Sequence, residues 1–352
     1  MGYINGMKAL NMEFSDIVPR TEYSAHVHWE LVKKVTGIDT DILENRDMAS
    51  AKFMRDWDYS TIWYTHVGKE YLERYGNITN MGHAEYANSN VGETDKDNRI
   101  FKKFTDIDEA LSLDCTKAYG NFDQKTLIGE FENAYSNFQN NFVDTVNMGG
   151  VYITLFSGLT YIYGWDMLLE CMAYPEFKKV LDSYYEWVSQ FFNAYAKSNI
   201  PVFMCHDDMC WTSGAINSNQ WYKENIFPYY KKLLAPIKES GKKIIFTSDG
   251  NYTDFFDDVV DCGADMLVFE PCSDMEGFAK KYGKTHGFIG NVDTRVLLMG
   301  SKEDIYNEVK RCMDFGKEYA GFILAVGNHI PPNTPVDNAL YYDEVYRKLS
   351  KR

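Results

Sequence analysis

A histidine and two carboxylates directly follow a short apolar run near the middle of the chain. The run Pro201-Val-Phe-Met-Cys leads into His206, Asp207 and Asp208. An imidazole beside carboxylates can hold and transfer a proton, or it can bind a metal ion. Because apolar runs of this length are typical of buried parallel strands, and residues after such strands face the active site of a barrel, we expect the catalytic centre here.

Polar or titratable residues also follow five further apolar runs. A single polar strand end carries little information, because loops are polar in general. Several ends rich in Asp, Glu and His favour an active site, in which burial separates the pKa values of neighbouring groups. Hydrogen-bonded residues on a solvated rim remain the alternative. The further strand ends are His66, Asp249-Gly250-Asn251, Glu270-Pro271-Cys272, Asn291-Val292-Asp293 and Gly327-Asn328-His329.

The elements that must position these residues are clearest in the C-terminal part, where apolar runs alternate with helical segments. This alternation predicts parallel strands with crossover helices, and hence an α/β protein with a single (β/α)8 TIM barrel. We expect strands at 243–248, 266–270, 286–290 and 321–326, with helices at 252–262, 275–282 and 302–319.

The sequence of the N-terminal part predicts the remaining strands and several helices. We expect strands at 16–20, 61–66 and 151–156, a loop marked by Gly158 and Gly164, and helices at 5–11, 127–141, 165–172, 175–198 and 218–240. Polar residues 76–125 predict long loops over the C-terminal mouth and a helix starting at Asp106. We therefore interpret residues 1–352 as one barrel domain, in which 1–60 form an N-terminal helical extension and the first strand region.

Composition excludes several classes of partner. A net charge of −15 argues against binding nucleic acid or an anionic membrane. Seven cysteines without framework spacing indicate a reducing compartment, and the absence of a signal peptide or a long apolar span favours a cytoplasmic protein. The aromatic share of 16% indicates an aromatic-rich core or a pocket for a flat aromatic substrate.

The common chemical motifs are missing from the sequence. There is no glycine-rich phosphate loop, no Gly-x-Ser-x-Gly and no Cys-x-x-Cys pair, which argues against a nucleotide site, a hydrolase elbow and a zinc ribbon. A catalytic metal such as zinc remains an alternative. Its candidate ligands are His206, Asp249, Glu270 and Cys272.

Several motifs resemble the uroporphyrinogen decarboxylase superfamily, in the order in which the superfamily has them. This resemblance implies a (β/α)8 barrel with its site at the C-terminal mouth. The motifs are Met7-Lys-Ala-Leu-Asn11, Asp16-Ile-Val-Pro19, Arg20-Thr-Glu-Tyr-Ser24, His206-Asp-Asp208, Ser248-Asp-Gly-Asn251, Gly290-Asn-Val-Asp293 and Gly327-Asn-His-Ile-Pro-Pro-Asn-Thr-Pro-Val-Asp-Asn338.

The superfamily divides by chemistry. Its decarboxylases bind a polyanionic tetrapyrrole with two arginines of an N-terminal loop, whereas this loop has Arg20 alone and adds Glu22. Its thiol-methylating members bind zinc with His-x-Cys and a later Cys, where this chain has Thr247, Asp249 and Asn328. The chain therefore most resembles the remaining branch, which comprises corrinoid-dependent methyltransferases of O-demethylase systems.

The resemblance therefore implies methyl transfer from a methoxylated aromatic compound, or from another methylated small molecule, to the cobalt of a separate corrinoid protein. A decarboxylase or lyase acting on a small or tetrapyrrole acid, and a non-catalytic corrinoid-binding barrel, are the alternatives. We assign catalytic roles to His206, Asp208, Asp249, Glu270 and His28. We assign substrate binding to Tyr64, His66, Asp207, Asn328 and His329.

Overall fold

A computed structural model describes residues 2–73 and 104–352 of the chain. Residues 76–103, the larger part of the predicted loops over the C-terminal mouth, lie outside the described residues.

Six parallel strands form one sheet in the order β1-β2-β5-β6-β7-β8. Every residue of β2 and of β6 to β8 is buried, which agrees with the continuous apolar runs in the sequence. A small antiparallel hairpin of β3 and β4 follows β2. The strands are β1 (Gly149–Val151), β2 (Val202–His206), β3 (Cys210–Trp211), β4 (Gly214–Ala215), β5 (Lys243–Thr247), β6 (Met266–Val268), β7 (Gly287–Val292) and β8 (Phe322–Val326).

Two irregular N-terminal segments close this sheet into a barrel. Arg20 forms parallel bridges to Leu324 of β8 and to Tyr59. The chain that follows Tyr59 bridges the other edge, through Thr61 to Val146 and through Val67 to Val151. These two segments occupy the positions of the first two strands, and the result is a closed (β/α)8 barrel.

Helices surround the barrel and account for most of the remaining described chain. The α-helices are α1 (Gly2–Leu10), α2 (Trp29–Thr36), α3 (Arg46–Asp56), α4 (Glu70–Glu73), α5 (Ile107–Leu111), α6 (Cys115–Tyr119), α7 (Gln124–Asn141), α8 (Leu155–Tyr163), α9 (Trp165–Cys171), α10 (Phe177–Lys197), α11 (Asn219–Asn225), α12 (Phe227–Glu239), α13 (Phe256–Asp261), α14 (Met275–Tyr282), α15 (Thr294–Met299), α16 (Lys302–Gly316) and α17 (Val336–Leu349). Short 3-10 helices lie at Ala25–Val27, Leu43–Asn45 and Thr253–Phe255.

The side chains of each strand divide between two apolar clusters. In β2, Val202 and Met204 belong to the cluster that fills the barrel, whereas Phe203 and Cys205 belong to the cluster between strands and helices. Alternating orientation along a strand produces this division. The predicted strands from residue 243 onward and most of the predicted helices are therefore confirmed, with ends that differ by a few residues.

The prediction for residues 151–164 is wrong in its details. The strand ends at Val151, and the predicted loop around Gly158 is helix α8. Gly158 lies inside this helix because the Tyr184 hydroxyl packs against it: an added Cβ would lie 1.7 Å from that oxygen. The hydroxyl donates a hydrogen bond to the Ile153 carbonyl at 2.7 Å. The glycine therefore serves close packing between α8 and α10.

The C-terminal helix α17, which the sequence motifs did not predict, packs against the first strand position. Arg20 is fully buried and forms an ion pair with Asp343 at 2.7 Å. Its guanidinium also lies 4.2 Å from the ring centroid of Tyr346. Glu22 accepts a hydrogen bond from the Tyr342 hydroxyl and another from the backbone N–H of Val326 at 3.1 Å. These contacts join the two ends of the described chain at the barrel wall.

All seven cysteines have free thiols. Among residues 2–73 and 104–352, no helix has both the length and the apolar character needed to cross a membrane.

Candidate active site

A cavity of about 160 Å³ lies at the carboxyl ends of the barrel strands. Residues that directly follow β5, β6 and β8 contribute to it, as parallel-barrel geometry requires. It is lined by Tyr23, Trp63, Tyr152, His206, Thr247, Ser248, Asp249, Val268, Phe269, Glu270, Gly327, Asn328 and His329.

His206 is the last residue of β2 and forms an ion pair with Asp208. Its Nε2 lies 3.2 Å from Asp208 Oδ1, and its imidazole is almost completely buried. Burial alone would lower the pKa of His206, but the negative charges of Asp208 and Asp249 outweigh burial and raise the pKa to about 9. The imidazole therefore carries a proton at neutral pH, and the Asp208 carboxylate compensates its charge.

Asp249 adds a second carboxylate to the pair. Its backbone N–H donates to Asp208 Oδ1 at 3.0 Å, which fixes the loop after β5 against the loop after β2. Burial raises the pKa of Asp249 to about 7, with the charges of Asp208 and Glu270 adding to the effect. The three side chains form a cluster whose protonation states depend on one another.

Two aromatic residues enclose His206. The Tyr152 ring stacks on the imidazole with a centroid separation of 3.8 Å and an interplanar angle of 10°. The Trp63 ring meets the imidazole edge-on, with centroids 6.1 Å apart. An aromatic face stabilises a cation, so the stacked ring of Tyr152 favours the imidazolium. The Trp63 Nε1–H is buried and has no hydrogen-bond partner among the described residues.

Asp207 lies outside the cavity and fixes the backbone behind it. Its carboxylate accepts hydrogen bonds from the backbone N–H groups of Phe156 and Ser157 at 2.9 and 2.5 Å, and from the Tyr230 hydroxyl. These contacts hold the N-terminus of α8 next to the end of β2. The predicted substrate-binding role of Asp207 has no support in this geometry, which instead suits a residue that positions His206 and Asp208.

Glu270 and the loop after β8 form the opposite wall. Glu270 accepts hydrogen bonds from the Gly250 backbone N–H at 2.7 Å and from Asn328 Nδ2 at 2.6 Å. The backbone N–H of His329 donates to Asn328 Oδ1 at 2.8 Å. Burial lowers the pKa of His329, so this imidazole is neutral at physiological pH. The structure thus places Glu270, Asn328 and His329 at the cavity where the sequence predicted them.

The structure does not bring three predicted residues into this cavity. His28 caps α2: its Nδ1 accepts from the Leu31 N–H at 3.2 Å, and its Nε2 lies 2.9 Å from the Thr334 carbonyl. Tyr64 stacks on Phe138 of α7 with centroids 4.5 Å apart. His66 contacts the Tyr195 hydroxyl through Nδ1 at 2.9 Å, and burial lowers its pKa to about 4. Both ring nitrogens of His28 are used by the backbone, while Tyr64 and His66 face the helices.

Four aromatic residues at the cavity were not predicted as site residues: Tyr23, Trp63, Tyr152 and Phe269. Trp63 precedes Tyr64 by one position, and alternation along an extended segment places it on the opposite side. The sequence around residue 63 shows the alternation but not which alternate residues face the barrel interior. Tyr23 follows the first strand position, and Tyr152 follows β1 directly.

A divalent metal ion has one candidate group of ligands in the described part of the chain. One ligand atom each from His206, Asp208 and Asp249 lies within 4.8 Å of the others. One imidazole and two carboxylates suit zinc or a harder divalent ion, provided that the proton leaves His206. Of the predicted metal ligands, Glu270 and Cys272 lie outside this group. Cys272 lies 3.9 Å from Glu270 Oε2, and burial raises the pKa of its thiol to about 11.

A larger cavity of about 630 Å³ adjoins the first. Glu270, Asn328 and His329 line both cavities, so they stand at the junction. The larger cavity is mainly apolar, with Val27, Ile330 and a pair of prolines in its wall, and the predicted residues His28 and Cys272 also line it. Its Arg295 side chain is engaged by Asp293 at 2.6 Å.

The fold is a closed parallel barrel, and a titratable cluster lies at the carboxyl ends of its strands. The protein is therefore a (β/α)8 barrel with an enzyme-like site. The family model described as uroporphyrinogen decarboxylase (URO-D) matches residues 141–349, more than half of the chain. The chain belongs to the uroporphyrinogen decarboxylase family.

Individual relatives are distant. The uroporphyrinogen decarboxylase of Geobacter sulfurreducens is 26% identical over 163 residues, 46% of either chain. That of Prochlorococcus marinus subsp. pastoris is 28% identical over 188 residues, 52% of either chain. The chain thus spans about half the length of these curated relatives. A methyltransferase from Methanosarcina mazei has the same fold, with a TM-score of 0.64 at 15% identity over 99% of this chain and 98% of that one.

Proposed function

We propose that the protein transfers a methyl group from a methoxylated aromatic compound, or from another methylated small molecule, to the cobalt of a separate corrinoid protein. The observation that carries this proposal is the His206–Asp208 ion pair at the wall of an aromatic cavity. Methyl ethers react slowly with nucleophiles because the alkoxide or phenoxide that must depart is a poor leaving group. A group that holds a proton next to the ether oxygen removes this difficulty.

The reduced corrinoid supplies the nucleophile that takes the methyl group. The bond between the methyl carbon and the ether oxygen breaks, and its electron pair stays on the oxygen. That oxygen would take the proton that His206 shares with Asp208 at Nε2, which leaves a free hydroxyl compound, while the methyl group would pass to the corrinoid. Asp208 orients the imidazole through Nε2, and Tyr152 holds the ring from its face.

A divalent ion held by His206, Asp208 and Asp249 would supply Lewis-acid polarisation of the same oxygen in place of the proton. The residues of the chain otherwise keep their tasks. Tyr23, Trp63 and Tyr152 enclose the donor and exclude water, and Asn328 holds Glu270 at the far wall.

Decarboxylation, the activity for which the family is named, has less support than methyl transfer. The single arginine of the N-terminal loop, Arg20, is buried between Trp57 and Tyr346 and paired with Asp343. It is therefore not available to a substrate carboxylate in the cavity.

The test is a methyl-transfer assay with free cob(I)alamin and a panel of methoxylated aromatics and methylamines, following methylcobalamin formation by absorbance. The purified protein is analysed for metals in parallel and assayed before and after chelation. Transfer by His206→Gln should fall by ~10²- to 10⁴-fold if the imidazole donates the proton. No transfer from any donor, together with decarboxylation of uroporphyrinogen, would overturn the proposal.

A further inference from the structure

Three aromatic rings of the cavity stand at steep angles to one another and form walls. The centroids of Tyr23 and Trp63 are 6.3 Å apart with an interplanar angle of 69°, and those of Trp63 and Tyr152 are 6.2 Å apart at 90°. Rings arranged in this way present faces and edges to a shared space. A positive charge is attracted to such faces, most strongly to that of tryptophan.

Carboxylates complete the enclosure. Glu270 accepts hydrogen bonds from two N–H donors, one at each of its carboxylate oxygens. Asp249 lines the same cavity, while the charges of His206 and Asp208 compensate each other. Among the described residues that line this cavity there is no lysine or arginine. Arg295 lines the adjoining cavity and is engaged by Asp293.

We propose that the methyl donor carries a positively charged ammonium group, which binds between the aromatic walls of Tyr23 and Trp63 and the carboxylate of Glu270. This inference rests on the proposed function and names its substrate class. Because Glu270 lies at the junction of the two cavities, the ammonium group binds at the outer end and the methyl ether reaches inward to His206. A donor with a carboxylate in place of the ammonium group would face Glu270 as a like charge, which disfavours its binding.

The experiment compares three donors that differ in one substituent. Each is a methoxyphenol that carries an aminomethyl, a hydroxymethyl or a carboxylate group at the same ring position. We expect kcat/KM with cob(I)alamin to fall in that order, with the aminomethyl compound at least ~10-fold above the carboxylate. Calorimetric titration without corrinoid should give the same order of Kd.

Two variants test the role of Glu270. Glu270→Gln should reduce the preference for the aminomethyl compound over the carboxylate by ~10-fold, in both kcat/KM and Kd. Glu276→Gln removes an equal charge from the exposed surface of α14, where its partner is Lys280, and should retain the preference. A loss of preference in both variants would overturn the role of Glu270.

Different results would overturn the inferred substrate class and the proposed function. Methyl transfer with equal or better use of the carboxylate donor would overturn the inferred substrate class and leave the proposed function intact. Tighter binding of the aminomethyl compound without transfer from any donor would overturn the proposed function and retain the cation site.

Discussion

The ring of Tyr152 lies parallel to the imidazole of His206, with the two centroids 3.8 Å apart. The residue that directly follows β1 thus covers the residue that ends β2. Two adjacent strands of the barrel therefore share the task of holding one protonated side chain.

Replacing the Tyr152 ring should lower the pKa of His206. A stacked aromatic face stabilises a cation by ~0.5–2 kcal/mol, and about 1.4 kcal/mol corresponds to one pKa unit. We expect Tyr152→Leu to lower the pKa of His206 by ~1 unit, as measured by NMR titration of the imidazole. Tyr152→Phe keeps the ring and is the matched control. An unchanged pKa in the leucine variant would show that Asp208 and Asp249 alone set it.

The pH dependence of methyl transfer should report the proton on His206. Because the protonated imidazole is the proposed acid and its pKa is raised to about 9, kcat/KM should be retained at neutral pH and lost as the pH rises through about 9. In Asp208→Asn the ion pair is removed, so this loss should move to lower pH. A profile that stays flat to higher pH in the unmodified, metal-free protein would argue against His206 as the acid.

Glu22 should make stability depend on pH. Burial raises its pKa to about 7 from an ordinary value near 4.5, so the folded state favours the protonated carboxyl. Its contribution to stability is fully present below the unfolded pKa and is lost as the pH rises through about 7. Arg20 and the Tyr342 hydroxyl oppose this shift.

We expect Glu22→Gln to gain stability relative to the unmodified protein between pH 4.5 and 8, by up to ~3 kcal/mol, because glutamine cannot ionise. Denaturant unfolding at a series of pH values measures this difference. Glu276→Gln on the exposed face of α14 is the control and should show no such trend. Parallel curves for the unmodified protein and Glu22→Gln would contradict the raised pKa.

Gly158 and Gly129 form a matched pair of helical glycines. In Gly158→Ala the new Cβ would meet the Tyr184 hydroxyl, so we expect a loss of ~1–3 kcal/mol in the free energy of unfolding. At Gly129 in α7 no atom lies within 4 Å of an added Cβ, and Gly129→Ala should stabilise by ~0.5–1 kcal/mol. Thermal unfolding of both variants checks the prediction. Equal shifts of the same sign would contradict the close packing at Gly158.

The sequence predicted the site best where a regular strand ends. His206, Asp249 and Glu270 lie within two residues of the ends of β2, β5 and β6, and each lines the cavity. Once each strand was recognised in the sequence, the position of these residues at its carboxyl end followed. Asn328 and His329 after β8 follow the same rule.

The residues that line the smaller cavity differ from the predicted set where the chain is irregular or where a side chain is used by the backbone. Between Thr61 and Val67 only isolated bridges form, so the inward register could not be counted, and Trp63 rather than Tyr64 reaches the cavity. His28 was predicted as an acid/base group or a ligand in the loop after the first strand, and it lines the larger cavity rather than the smaller one. Its capping of α2 depends on a helix start and on the Thr334 carbonyl, which is distant in sequence.

The pairing of Arg20 with Leu324 and Asp343 has a consequence for synthesis on the ribosome. The cavity draws Tyr23 from the beginning of the described chain and His329 from near its end. An emerging polypeptide therefore carries Tyr23 and Trp63 without the complete set of partners that enclose them until His329 has been added. Such long-range closure is slow, and exposed aromatic surface invites aggregation until it is complete. The cavity can therefore close only after the chain has been made as far as His329.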